Sequence, residues 1–243
     1  IKNILNANGD VVIKDLSKNY EIFSNDITYI KDEDTIYSKG DTKAEIESRY
    51  ELTSKDIVFL KKQNLFNSES KTKIIDRETK TLYQLGIFNF DISNEILKGE
   101  KILVNLNYNL PENDRLYFEN GIFDLKKKSF IAKDVNISLK KNIFDNIKND
   151  PRLKGVSANS EKNITIINKG IFTSCQKREG CPPWMISANK ITHDKDKKQL
   201  IYKDAVLKVY NIPILYFPKF FHPDPTVKRQ SGLLKPELNN SNI

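Results

Sequence analysis

The stretch KILVNLNY, residues 101–108, alternates apolar and polar side chains with a period of two. Its apolar side chains, which share one face of an extended strand, are Ile102, Val104, Leu106 and Tyr108. DVNISLKK (134–141) and DAVLKVY (204–210) alternate in the same way. Alternation of this kind is typical of strands with one buried face and one face in water. The sequence therefore predicts an all-β protein.

The three stretches place nine apolar side chains on what is predicted to be an inward face. They are Ile102, Val104, Leu106, Val135, Ile137, Leu139, Ala205, Leu207 and Val209. This face is either a packed core or a trough that holds acyl chains, which gain about 0.8 kcal/mol per buried methylene. In the second case, lysines at the rim would meet phosphate charges. Periodicity does not separate the two interpretations, and a register error of one residue exchanges the faces.

A weak internal repeat accompanies the alternation. Tyrosines 20, 50, 83 and 117 each open a strand-like piece, and each is followed by a turn residue and isoleucine. Four similar segments mark the second half of the unit: IYSKGD (36–41), ILKGE (96–100), FIAKD (130–134) and LIYKD (200–204). A strand–turn–strand unit of this size cannot bury its apolar face alone, so stacked copies are predicted to form a continuous, groove-shaped core.

Composition limits the classes of protein. The chain has 243 residues, of which 38% are hydrophobic and 30% charged, which suits an elongated shape with a thin core. No apolar run approaches the roughly 20 residues of a membrane helix. The net charge of +8 comes from scattered lysines. Because no basic helix or aromatic RNA-binding motif accompanies them, a nucleic-acid partner is not expected.

Catalytic motifs are missing from the sequence. It contains no glycine-rich phosphate loop, nucleophile elbow or histidine pair with metal-ligand spacing. His193 and His222 each precede or lie near an acid, so a His–Asp pair is conceivable, but both segments are also typical of polar turns. The chain is predicted not to be an enzyme and to need no cofactor or metal, although acids converging on one face of a β-helix would allow carbohydrate chemistry.

The two cysteines, Cys175 and Cys181, lie in one turn-rich segment. Zinc would lack ligands there, since no histidine or further cysteine is near. A disulfide in an oxidising compartment, within the segment or to another one, is predicted, and two free thiols are the alternative.

The C-terminal quarter carries a specific resemblance. WMISA (184–188), THD (192–194), IPILYFP (212–218) and HPDPTVKRQSGLL (222–234) follow one another in order. Residues 182–238 closely resemble the LptD family of lipopolysaccharide-assembly outer-membrane proteins, most of all its alphaproteobacterial type. The upstream repeat resembles the amino-terminal, OstA-like domain of that family only in general.

The resemblance implies a domain organisation. Residues 1–215 would be a periplasmic, open and twisted β-jelly-roll; residues 216–231 an aromatic and proline-rich hinge; and residues 232–243 the start of the first strand of an outer-membrane barrel that this chain lacks. The prolines of the hinge and seam are Pro218, Pro223, Pro225 and Pro236. In the family, a proline at the place of Pro236 weakens the barrel seam.

The resemblance also implies a function. The jelly-roll interior would carry the lipid A acyl chains of lipopolysaccharide from an LptA-type periplasmic bridge protein to the barrel, which an LptE-type lipoprotein plugs. In the family, cysteines of this domain are bonded to barrel cysteines; Cys175 and Cys181 differ from that layout, since they lie six positions apart in one segment, and would either pair with each other or each await a barrel partner. The expected location is the cell outer membrane, with this portion in the periplasm. Alternatives are a soluble bridge protein of the same repeat class and a carbohydrate-active β-helix enzyme.

Overall fold

The computed structural model describes residues 3–16, 19–110, 113–139, 150–176, 182–224 and 227. Every regular element in these ranges is a β-strand, and all strand pairs are antiparallel, so the all-β prediction is confirmed. No helix in these ranges combines the length and the apolar character needed to span a bilayer. The chain divides into two compact units, Ile1–Ser138 and Leu139–Ile243. The single domain predicted over residues 1–215 stays a prediction.

The first unit contains twelve strands within the described ranges. They are β1 (Ile4–Asp15), β2 (Tyr20–Ile30), β3 (Thr35–Ile46), β4 (Tyr50–Lys55), β5 (Val58–Leu60), β6 (Leu65–Ser68), β7 (Thr72–Asp76), β8 (Thr81–Leu85), β9 (Ile87–Asp91), β10 (Ile96–Leu106), β11 (Arg115–Asp124) and β12 (Ser129–Ser138).

Two long strands divide the first unit into two layers. The first part of β3 pairs with β5 and its second part with β4. In the same way, the first part of β10 pairs with β9 and its second part with β8. Layer A contains β4, β7, β8 and the parts of the longer strands that continue the same sheet, including the second parts of β3 and β10. Layer B contains β5, β6, β9 and the parts of the longer strands that continue that sheet, including the first parts of β3 and β10. Together these pairings close a ring of eight strands, β3-β4-β7-β8-β10-β9-β6-β5. The sequence does not predict this ring, and the open jelly-roll stays a prediction.

The long strands pass from one layer to the other at a bend, which we call the bend edge. Gly40 in β3, Lys101 in β10 and Asp134 in β12 have φ values of 83°, 51° and 51° there. This left-handed region is costly for most residues and open to glycine. The bend also interrupts the ladder, since β10 pairs with β11 at Glu100 and again at Ile102 but not between.

The bend explains the second half of the sequence repeat. Gly40 lies in IYSKGD, and Asp134 and Asp204 end FIAKD and LIYKD; all three have positive φ. In the fourth copy, ILKGE, the residue with positive φ is Lys101, one position after the segment. The repeat therefore marks the place where each strand changes layer.

The second unit contains five described strands. They are β13 (Arg152–Glu161), β14 (Ile164–Thr173), β15 (Trp184–Asp194), β16 (Gln199–Val209) and β17 (Ile212–Pro223). Consecutive strands pair in antiparallel order. Pro218 occupies a gap in the β16–β17 ladder, between Phe217, which faces Ala205, and Lys219, which faces Lys203. A proline is tolerated at this gap because it has no N–H to donate.

Several predicted features fall outside the described ranges. They are Cys181, Pro225, Pro236 and the predicted barrel strand 232–243. The first part of the predicted hinge, residues 216–223, belongs to β17 and pairs with β16. Pro223 is the last residue of that strand.

Candidate lipid-binding interior

Most of the predicted inward side chains are buried. In the first unit, Ile102 is 0% exposed, and the others that are buried there are Val104 (3%), Val135 (2%) and Ile137 (5%). In the second unit, Leu139 and Ala205 are buried, at 7% and 0%. Leu106, Leu207 and Val209 are only half-buried. Whether any of these side chains contacts lipid stays a prediction.

The set of alternate positions that point inward shifts by one residue at the bend. Leu97 is buried in the first part of β10, whereas Ile102 and Val104 are buried in the second part. The same change occurs in β12, where Ala132 precedes the bend and Val135 follows it. One residue at the bend therefore resets the alternation, and each long strand keeps an apolar side chain toward the interior on both sides of it.

The two layers contribute different apolar side chains. Layer B supplies mainly phenylalanine: Phe59, Phe66, Phe88, Phe90 and Phe123 are all 5% exposed or less. Phe59 stacks on Phe66 with ring centroids 4.0 Å apart. Layer A supplies mainly aliphatic residues such as Leu52 and Ile74, both 0% exposed. The interior of the first unit is therefore filled by its own side chains in this structure.

Three of the four repeated tyrosines connect the layers. The rings of Tyr20, Tyr50 and Tyr83 in layer A meet Phe59, Phe90 and Phe123 in layer B at centroid distances of 4.8, 5.1 and 5.7 Å. Tyr117 does not follow the pattern: its side chain is 38% exposed, and its hydroxyl donates to Glu119. The neighbouring Phe118, which is 0% exposed, takes the inward position.

The edge of the first unit opposite the bend is formed by hairpin turns, and we call it the turn edge. Here Arg49 makes two hydrogen bonds to Asp76, from Nε to Oδ1 at 3.2 Å and from Nη2 to Oδ2 at 3.0 Å. Its Nη1 donates to Glu95 Oε2 at 2.9 Å. Burial alone would raise the pKa of Asp76, but hydrogen bonds from Arg49 and Thr79 outweigh burial and lower it.

Buried hydroxyls lie near the bend edge. Ser24, Thr42 and Ser38 form one hydrogen-bonded cluster, with oxygen distances of 3.1 and 2.8 Å. Ser54, Ser68 and Thr72 form a second, with distances of 3.1 and 2.7 Å. Thr42 also donates to the carbonyl of Gly40 at the bend of β3, and Ser68 donates to the carbonyl of Lys55 at the end of β4. Side-chain hydroxyls thus add hydrogen bonds to backbone carbonyls near the place where the ladder is interrupted.

Both histidines of the second unit lie in strands, and the polar turn expected around His193 follows it at residues 195–198. His193, in β15, is 6% exposed and contacts Asp224, which is 5% exposed, through Nε2. It does not pair with its neighbour Asp194, which accepts a hydrogen bond from the backbone of Lys197. The sequence separation of 31 residues between His193 and Asp224 explains why sequence reasoning missed the pair.

His222 belongs to an aromatic cluster. Its Nε2 lies 2.8 Å from the Tyr202 hydroxyl and its Nδ1 lies 2.7 Å from the Pro223 carbonyl. Nδ1–H therefore donates to the carbonyl, and Nε2 accepts from Tyr202, which is the neutral form of the ring. Burial lowers the pKa of His222, against the opposing effects of the Pro223 carbonyl and Asp224.

The lowered pKa predicts acid sensitivity. The unfolded chain takes up a proton on this histidine near pH 6.5, whereas the folded chain resists it. Stability is therefore full above that pH and falls as the pH drops toward the lowered folded value. We expect the thermal unfolding midpoint to decrease between about pH 7.5 and about pH 5.5, and this decrease to be smaller in His222→Gln. An unchanged pH dependence in the variant would show that other groups cause it.

The first part of β17 is apolar and exposed. Ile212, Ile214, Leu215 and Tyr216 are 61%, 54%, 52% and 60% exposed. Consecutive residues point to opposite faces of a strand, so both faces of this segment are open in the structure. Isolated exposed apolar residues need no explanation, but a contiguous run of this length indicates a contact surface.

The thiol of Cys175 is free and half-buried in the structure. Its predicted partner Cys181 lies outside the described residues, so the disulfide stays a prediction. No three or more His, Cys, Asp and Glu side chains of the described ranges gather where they could hold a metal ion.

Comparison with known proteins identifies relatives. The chain is 36% identical over 86 residues to the LPS-assembly protein LptD of Polaromonas sp. (strain JS666 / ATCC BAA-500), covering 34% of this chain and 10% of the relative. It is 28% identical over 159 residues to the LptD proteins of Escherichia coli (strain K12) and Shigella flexneri serotype 5b, covering 65% of this chain and 17% of each relative. No family model matches the chain. It spans 10% to 17% of the length of these curated relatives, and the predicted resemblance to LptD is confirmed.

Proposed function

We propose that this chain is a periplasmic portion of an LptD-like protein and carries the acyl chains of lipopolysaccharide toward the outer membrane. The similarity to proteins named LPS-assembly protein LptD is the observation that carries the proposal. The inward apolar faces of both units supply a physical basis for it. In this proposal the chain binds and guides lipid and has no catalytic residue.

Burial of acyl chains supplies the binding energy. A chain of ten methylenes would gain about 8 kcal/mol on leaving water, at about 0.8 kcal/mol for each. Sugars and phosphates would stay outside, where lysines such as Lys98 and Lys133 are exposed. Because the interior of the first unit is filled by its own side chains, part of this gain is offset by separating the two layers.

The proposed bridge partner adds a strand to the exposed edge of β1. Within the described ranges β1 pairs with β2 alone. Its apolar side chains Leu5 and Val12 are 59% and 45% exposed. A free edge with exposed apolar side chains accepts a strand from another protein. We assign this edge to an LptA-type bridge protein, whose strand would continue the apolar interior; an LptE-type lipoprotein would act beyond this chain.

The proposed membrane-side contact is the exposed part of β17. Its aromatic and aliphatic side chains suit the boundary between water and lipid, where tyrosine is enriched. Residues 216–231 would then act as the hinge to a barrel beginning in 232–243, which places this portion in the periplasm beside the outer membrane. A bridge protein of the same repeat class is the second candidate, and the exposed β17 favours the membrane-side role over it.

Site-specific photo-crosslinking tests the proposal. Phe130 and Ile131 are adjacent in β12; Phe130 packs on Phe118 with centroids 5.1 Å apart, whereas Ile131 is 67% exposed on the outer face. With a photoreactive phenylalanine analogue at either position, we expect at least about tenfold more crosslinking to purified lipopolysaccharide from position 130, because acyl chains are stabilised only where they leave water. Equal yields at the two positions would contradict an interior route.

A further inference from the structure

The turn edge consists of two columns of hairpin turns, one from each layer. In the column of layer A, the backbone N–H of Arg77 donates to the Arg49 carbonyl at 3.0 Å. In the column of layer B, the N–H of Leu125 donates to the Glu95 carbonyl at 2.9 Å. Backbone hydrogen bonds thus hold the turns together within a layer.

Side chains connect one column with the other. Glu95 Oε2 accepts from Arg49 Nη1 and from the Tyr50 hydroxyl, both at 2.9 Å. A second connection joins Lys61, in the turn between β5 and β6, to Asp15 at the end of β1, with 3.7 Å between Nζ and Oδ2. We call these two connections the latch.

The two layers cannot separate at the bend edge. There the backbone itself crosses between the layers in the long strands, among them β3 and β10. The turn edge is crossed by polar contacts and by the tyrosine–phenylalanine pairs. If the layers separate to admit cargo from the side, they separate at the turn edge.

The latch is built to open without leaving a charge buried. The side chains of Arg49 and Glu95 are 21% and 23% exposed, so water reaches both. When Glu95 leaves, Arg49 keeps both hydrogen bonds to Asp76 in its own layer. Hydrogen bonds of this kind contribute little net free energy when water can replace the partner.

We propose that the latch is a lateral gate, and that its opening at Arg49 and Glu95 admits acyl chains of lipopolysaccharide between the two layers. This inference rests on the proposed function. Opening exposes the tyrosine–phenylalanine pairs behind the latch, and an acyl chain then takes the place of water against them. The gate thus sets the rate of entry, while the apolar interior sets the affinity.

Two glutamates that both contact Arg49 allow a matched test of the gate. Glu95→Gln removes the charge that crosses the edge. Glu78→Gln removes the same charge from Arg49, whose Nε lies 3.2 Å from Glu78 Oε2, but Glu78 belongs to a turn of layer A and does not cross the edge. In the full chain with a photoreactive analogue at Phe130, we expect lipopolysaccharide crosslinking to be roughly three- to tenfold faster in Glu95→Gln, as loss of one charge-assisted contact implies, and unchanged in Glu78→Gln.

The outcomes separate the gate from the proposed function. Faster crosslinking in Glu95→Gln alone, at a temperature where both variants remain folded by circular dichroism, supports the gate. Equal rates in the wild type and in Glu95→Gln overturn the gate but leave the interior route standing. Equal acceleration in both variants also overturns it, because general loosening then explains the result. Absence of crosslinking at Phe130 even in the wild type overturns the proposed function, and the gate with it.

Discussion

Replacement of Arg49 by methionine is expected to lower the free energy of unfolding by about 3 kcal/mol or more, since removal of one partner from a buried ion pair strands the other charge. The side chain of Asp76 is 1% exposed. Without Arg49 it would keep hydrogen bonds from the backbone N–H groups of Glu78 and Thr79 but would face no cation. Urea unfolding at neutral pH, followed by circular dichroism, measures the loss.

A neighbouring arginine provides the control. Arg77 also binds two carboxylates, Glu51 at 2.6 Å and Glu45 at 3.6 Å, but its side chain is 42% exposed. Exposed ion pairs contribute roughly 0–1 kcal/mol to stability. Arg77→Met should therefore lower the free energy of unfolding far less than Arg49→Met. Equal losses in the two variants would show that burial of Asp76 does not determine the effect.

The same ion pair predicts a response to acid. Its hydrogen bonds hold the pKa of Asp76 below the ordinary value of 3.8. A carboxyl group whose folded pKa is lowered stabilises the fold above its unfolded pKa and loses that contribution as the pH falls through the folded value. The difference in stability between wild type and Arg49→Met should therefore shrink below about pH 4.

The strands, and the side of each strand that is buried, could be predicted from the sequence because alternation depends only on neighbouring residues. The stretch 101–108 correctly places Ile102 and Val104 on the buried face. The alternation cannot be extended across the bend, because Lys101 shifts it by one residue. Leu97, at an odd-numbered position, is therefore buried on the same face as Ile102 and Val104. The repeat of tyrosines fails at Tyr117 for a related reason: spacing alone does not reveal which of two adjacent aromatics points inward.

The polar contacts could not be read from the sequence because they join distant residues. Arg49 and Glu95 are 46 positions apart, and His193 and Asp224 are 31 apart. Each pair forms only after strands have bent and stacked in a particular register. His193 does not pair with Asp194, the acid next to it in sequence; the turn between β15 and β16 instead uses Asp194 to accept a backbone N–H.

Replacement of Phe90 by alanine is expected to cost about 3–5 kcal/mol of unfolding free energy, from lost burial and from the cavity that remains. Phe90 is 0% exposed, and its ring packs nearly perpendicular to the ring of Tyr50, with centroids 5.1 Å apart. Urea unfolding of the chain measures the loss. Ile122→Ala is the control in the same unit, since Ile122 is 48% exposed on the outer face and should cost well under half as much.

The cavity in Phe90→Ala also allows lipid binding to be tested through its effect on stability. An apolar cavity stays dry and binds apolar ligands, and a ligand that binds only the folded state stabilises it. If acyl chains enter between the layers, purified lipopolysaccharide should raise the unfolding midpoint of Phe90→Ala more than that of the wild type, because the wild-type interior must first displace a ring. It should raise the midpoint of Ile122→Ala no more than that of the wild type. Equal shifts in all three proteins would mean that lipid binds outside the layers, and the interior of the first unit would then be a core rather than a route.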